Sequence, residues 1–243
     1  WRAEPGQPAT PSRIYRRALD DFTWRPLAGT EGATSYDLAA DGRWVYFVAP
    51  VAPGSARLGL SRVAVDGSAP PTALTPWDSN WQAWEALPGE RFVVISVRRD
   101  SLGLLEPARG SAPAWRPLKR NFEVQTLDLT ATLPGGRACV GSVGYFSPTG
   151  WTVDAVVLDL EKAELRILLP NSVAQGLLPG NRLLLTRGPT MLATAFDLPG
   201  LKLNGPPITV LDGMRVDNSW GHGRAGLSAR GDLAYPGGVV DPG

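Results

Sequence analysis

The chain has one cysteine, one histidine and two methionines among 243 residues. A lone cysteine, Cys139, excludes an internal disulfide and any zinc site built on thiolates, and its ACV context reads as a buried apolar strand. A lone histidine, His222, cannot found a metal centre without several converging carboxylates. Asp20-Asp21 lacks the spacing of a calcium loop, so no metal and no cofactor is expected. No run approaches 18 apolar residues, which excludes a helical membrane span. The longest stretch free of Lys, Arg, Asp and Glu, Ala138 to Val153, is broken by glycines and a proline. Neither charge sign dominates: 24 Lys+Arg against 23 Asp+Glu leave a net charge of +1, so bulk electrostatics would not capture nucleic acid. No window carries a sustained i, i+3, i+4, i+7 apolar stripe, which excludes a mainly helical fold.

What the chain does have is glycine (28), proline (23) and tryptophan (9). The first two are spread evenly between short apolar runs, as many tight turns require. They also recur. Asp41-Gly42-Arg43 precedes WVYFV, and Pro88-Gly89-Glu90-Arg91 precedes FVVIS. Gly135, Gly180 and Gly231 precede ACVGS, LLLT and LAY in the same way. The spacing between these glycines stays close to 46 residues. A second strand follows most of these turns and often ends in Asp, as at Leu60–Asp66, Ala155–Asp159 and Met191–Asp197, with a degenerate copy near Leu102–Glu106. A further strand closes the unit, and Trp24-Arg25-Pro26-Leu27 and Trp115-Arg116-Pro117-Leu118 are the same tetrapeptide in that place.

Four short strands per period predict an all-β fold, a β-propeller of four-stranded antiparallel blades. The chain starts with the last two strands of one blade (Ile14–Asp20, Trp24–Leu27) and stops after the first two of another (Ala225–Ser228, Asp232–Tyr235). Joining these halves gives five blades, with the ring closed by both termini. A fragment of a six- or seven-blade ring is the alternative. The propeller spans 14–236, behind a linker at 1–13 and before a tail at 237–243. Because residue 1 is Trp, either a signal or anchor segment has been removed or the chain continues upstream.

Ile14–Asp20 followed by Trp24–Ala33 resembles the blade-to-blade passage of TolB-like propellers, especially those attached to bacterial serine/threonine protein kinases. Met191–Asp197, Gly205–Gly213 and Leu227–Tyr235 are similar to the last full blade of that group. No kinase domain is present. The resemblance implies a WD40-like β-propeller and a periplasmic or extracytoplasmic, membrane-associated setting.

No catalytic constellation is visible. There is no G-x-S-x-G. Gly221–Gly226 (GHGRAG) fits G-x-G-x-x-G, but a polar loop precedes it and a strand follows, the reverse of a dinucleotide turn. Arg230-Gly231-Asp232 falls on the repeated hairpin. The chain is therefore expected not to be an enzyme, but a binding module for a protein partner. A membrane-extrinsic structural subunit is the alternative, and an enzyme with a site in the funnel is a third reading. Trp77, Trp81 and Trp220, beside loops, are the candidate partner anchors, with burial between blades as the alternative reading. Trp81 and Trp84 differ by three, which in a regular strand sets them on opposite faces.

Overall fold

A computed structural model of the chain describes residues 12–18, 20–21, 23–110, 112–217, 222–223, 225–227 and 231–235. The chain begins with a two-stranded hairpin, β1 (Tyr15–Arg16) and β2 (Arg25–Pro26). Blade one is β3 (Ser35–Leu38), β4 (Trp44–Pro50), β5 (Leu58–Ala64) and β6 (Thr72–Pro76). Blade two is β7 (Trp81–Leu87), β8 (Arg91–Ser96), β9 (Ser101–Leu105) and β10 (Arg116–Pro117). Blade three is β11 (Thr126–Thr132), β12 (Ala138–Ser147), β13 (Gly150–Asp159) and β14 (Glu164–Leu169).

In blade four, β15 (Val173–Leu178), β16 (Arg182–Arg187) and β17 (Thr190–Asp197) are followed by β18 (Lys202–Leu203) and β19 (Ile208–Leu211), which both pair with β17. The last elements are the short pairs β20 (Val216–Asp217) with β21 (His222–Gly223), and β22 (Gly226–Leu227) with β23 (Leu233–Ala234). All pairings between these strands are antiparallel, and the repeat read from the sequence is the blade repeat.

The turn glycines explain the hairpins. Gly42, Gly89, Gly135 and Gly180 each follow the inner strand of a blade with φ between 70° and 85°, a region open to Gly at little steric cost.

The core is divided among the seams between blades. Side chains alternate faces along a strand, so one central strand feeds two seams. On β8, Phe92 and Val94 enter the seam with blade one, while Val93 and Ile95 enter the seam with blade three. On β13, Val156 and Leu158 face blade two, and Ala155 and Val157 face blade four. This two-sided burial is why the central strands read as continuous apolar runs rather than alternating ones. The hairpin β1–β2 packs Ile14 and Leu27 on Val45, Phe47 and Val63 of blade one. At the other end, Met214 and Leu227 pack on Leu184 and Met191 of blade four. The two half-blades thus flank the fifth position. Among the described residues they are hydrogen-bonded as separate two-stranded sheets, not as one. Residues 1–11 and 236–243 lie outside the described residues.

Neighbouring inner strands share no ladder, and side chains stitch them instead. The Asp37 carboxylate on β3 accepts the Ala86 N–H of β7 at 2.7 Å, and Trp84 Nε1 donates to Ser35 Oγ. The Thr132 hydroxyl of β11 donates to Ala86 O at 2.7 Å, and Thr130 donates to Ala174 O of β15 at 2.8 Å. Gln175 then donates to Gly223 O and accepts the Ala225 N–H. Farther out, arginines latch each blade to the next. Arg62 pairs with Glu90, Arg116 donates to Leu160 O and Glu161 O, and Arg166 donates to Leu201 O.

Candidate binding surfaces

Three places concentrate chemistry. The first is the hub. Glu85, on β7, is 5% exposed and hydrogen-bonded to Thr132. Burial, with the Asp37 and Asp128 carboxylates nearby, pushes its carboxyl well above the usual range. The backbone and side-chain hydrogen bonds from Thr132 oppose this shift without overcoming it. Asp37 is also raised by burial, although two backbone N–H groups oppose the shift. Cys139 lies beside Thr132 at 3.7 Å, fully buried, and burial pushes its thiol far up, out of reach of thiolate chemistry. Among the described residues no group of three His, Cys, Asp or Glu side chains is arranged to hold a metal.

The second place is the seam between blades one and two. Trp81 is 8% exposed and sits with Trp84 in one apolar cluster, against which Trp77 packs. The rings of Trp77 and Trp81 are 5.1 Å apart and nearly perpendicular. The expectation that Trp81 and Trp84 face opposite ways fails because a bulge between Trp81 and Ala83 shifts the register. That extra residue turns both indoles into the same seam. Trp81 is therefore a packing residue and not a protruding anchor. Trp77 and Trp81 nevertheless border an open groove of about 250 Å³ that Thr75, Pro76, Asp78, Leu105, Gly110 and Ala112 also line. Trp220 lies outside the described residues.

The third place was not singled out from the sequence. Strands β12 and β13 are ten residues each, against seven each for β4 and β5 and six and five for β8 and β9. Their pairing runs without a register shift from Ala138↔Asp159 to Ser147↔Gly150. The inner strand β11 begins opposite Gly144 and the outer strand β14 ends opposite Ala155, so the hairpin projects past both neighbours. Its projecting part carries Phe146, 68% exposed, and Trp151, 40% exposed, edge to face at 5.2 Å. The tip is internally satisfied: Thr152 Oγ1 donates to Ser147 Oγ, which donates to Gly150 O. Below it, Tyr145 donates to Asp154, whose other oxygen accepts the Asn171 N–H. The uncharged stretch Ala138 to Val153 was the available signal, since it covers this hairpin.

His222 is 5% exposed, and its Nδ1 accepts the Gly188 N–H at 2.8 Å. Burial, aided by Arg187, lowers its pKa, which keeps the imidazole neutral as that bond requires. It is an acceptor for a turn of blade four.

No family model matches the chain, and no curated protein matches it. Solved structures do. A luciferin-regenerating enzyme is 13% identical with a TM-score of 0.52, covering 83% of this chain and 67% of its own. A putative 6-phosphogluconolactonase from Bacteroides fragilis is 14% identical with a TM-score of 0.51, covering 89% and 67%. TolB from Acinetobacter baumannii is 17% identical with a TM-score of 0.44, covering 72% and 45%. The fold is a β-propeller. At such identities the likeness extends to the fold alone, and the chain spans less than half of the TolB chain. The expectation that the protein is not an enzyme is corrected here. Enzymes stand among the propellers it is similar to, so neither the fold nor the lack of a familiar motif excludes catalysis.

Proposed function

We propose that this β-propeller is a binding module of the bacterial cell envelope that engages a protein partner through the blade-three hairpin. The observation that supports this reading is the projection of Phe146 and Trp151 beyond their sheet. Two large aromatics in contact, exposed on a rigid hairpin, are what an interface anchor requires: apolar area with little side-chain entropy left to lose. The near-zero net charge agrees with a partner held by shape and apolar contact rather than by long-range attraction. Among the described residues no helix is long and apolar enough to cross a membrane, which agrees with an extrinsic role.

The test is a comparison of native-source complexes captured by the wild-type chain and by the double variant Phe146→Ser, Trp151→Ser. A defined partner held by wild type and lost by the double variant, at unchanged thermal stability, is the expected result. Equal capture by both chains would remove the hairpin from the interface.

A further inference from the structure

We propose that the groove between blades one and two is a site for a small organic cation bearing an alkylated ammonium group. It stands apart from the protein-partner reading above and uses none of its residues.

Two indoles set at 82° to one another form a corner, and both border the groove. The face of an indole carries negative quadrupolar charge and attracts a cation within about 6 Å of its centroid. Elsewhere the protein uses tryptophan in this way, with the Arg62 guanidinium 4.5 Å from the Trp44 centroid and that of Arg17 5.0 Å from Trp24. Among the described residues, no arginine or lysine lies over Trp77 or Trp81.

Charge complementarity is supplied by Asp78, which lines the same groove. Its Oδ1 accepts the backbone and side-chain N–H groups of Asn80, both at 2.9 Å, which fixes the carboxylate, while Asp78 O caps the start of β7 by accepting the Trp81 N–H. One carboxylate and two indole surfaces match a cation whose shell is apolar, because methyl groups rest on the rings while the charge faces Asp78. A compact, strongly hydrated ammonium fits less well, since beside Asp78 and the Thr75 hydroxyl the described lining is mostly apolar and would replace few of its waters. Size agrees: about 250 Å³ is below the roughly 300–1,000 Å³ of pockets that engulf a whole drug-sized ligand, and suits a head group.

The probes are choline and its neutral isostere 3,3-dimethylbutan-1-ol, titrated against the intact chain and followed by tryptophan fluorescence and by ligand-observed NMR. Choline should bind saturably at millimolar affinity or better, and the isostere at least tenfold more weakly. Asp78→Asn keeps the Oδ1 acceptor and its turn, and should weaken choline about tenfold with the melting temperature unchanged. Asp78→Lys should abolish binding. Equal binding of choline and the isostere, or choline binding unaffected by both variants, would reduce the groove to an apolar crevice and overturn the proposal. No choline binding at tens of millimolar would overturn it as well.

Discussion

The Trp151 indole lies directly over Gly144 of the facing strand, in space that any side chain at 144 would occupy. Thr126 closes the same space from the inner strand. The aromatic pair at the hairpin tip is therefore posed by an absence two rungs below it.

Replacing Gly144 with Val should push the Trp151 ring off β12 and break its contact with Phe146. Overpacking of this kind costs about 1–3 kcal/mol. Near-ultraviolet circular dichroism should lose part of its aromatic signal, and partner capture should fall toward that of the double variant Phe146→Ser, Trp151→Ser. Retention of both would show that the ring pose is not set by Gly144.

Two tryptophans should respond in opposite ways. Trp81→Ala empties a seam that also holds Phe92 and Trp84, and should cost roughly 3–5 kcal/mol in denaturant unfolding. Trp151→Ala removes an exposed ring and should stay within about 0.5 kcal/mol of wild type. Comparable losses would mean that Trp151 serves packing.

The blade repeat, the turn glycines and the two terminal half-blades were all legible in the sequence, because each is a local pattern of turn residues and apolar runs. The binding surfaces were not. Trp77, Trp81 and Trp84 admit both packing and a binding rim in one dimension, and the bulge that folds Trp81 inward leaves no mark a strand pattern can show. Phe146 and Trp151 lie in the uncharged stretch that covers the hairpin, but such a stretch does not tell projection from burial, which the lengths of β11 and β14, set by pairing, do. The hub acid Glu85 was equally hidden. Its neighbour Asp37 comes from another blade, 48 positions earlier in the chain.

Glu85 should make stability depend on pH. Its carboxyl is raised in the folded state, so the stabilising contribution of the protonated form is complete below the ordinary value of 4.5 and is lost as pH rises through the folded-state value. Glu85→Gln should keep the neutral, hydrogen-bonding group at every pH. The variant should thus melt higher than wild type at pH 8, and the gap should close toward pH 4.5. A constant gap across this range would assign the difference to packing.

His222 should act in the opposite direction. Its pKa is lowered, so its contribution is present above the unfolded value of 6.5 and is lost as pH falls through the folded-state value. Two-dimensional NMR of the imidazole should show a titration midpoint below 6.5, with the Gly188 amide shifting in step. A midpoint above 6.5 would contradict the neutral acceptor at Nδ1.

Cys139 should be silent toward maleimides in the native state and react fully in denaturant, because its thiol is both sealed and held protonated. Rapid native labelling would require blade three to open.

The division of the core into separate seams has a mechanical consequence. Each blade gains its apolar contacts from its two neighbours alone, so stability adds up along the circle link by link, as in linear repeat arrays. The weakest links are the two half-blades, whose short strands hold few backbone bonds. Loss of order should start there and peel inward from both directions, through blades one and four. The β8, β12 and β13 amides of blades two and three should be the last to exchange with deuterium. The anchor hairpin stands on that slowest part and should stay competent while the ends of the chain breathe, whereas the tryptophan groove, walled in part by blade one, should be lost earlier.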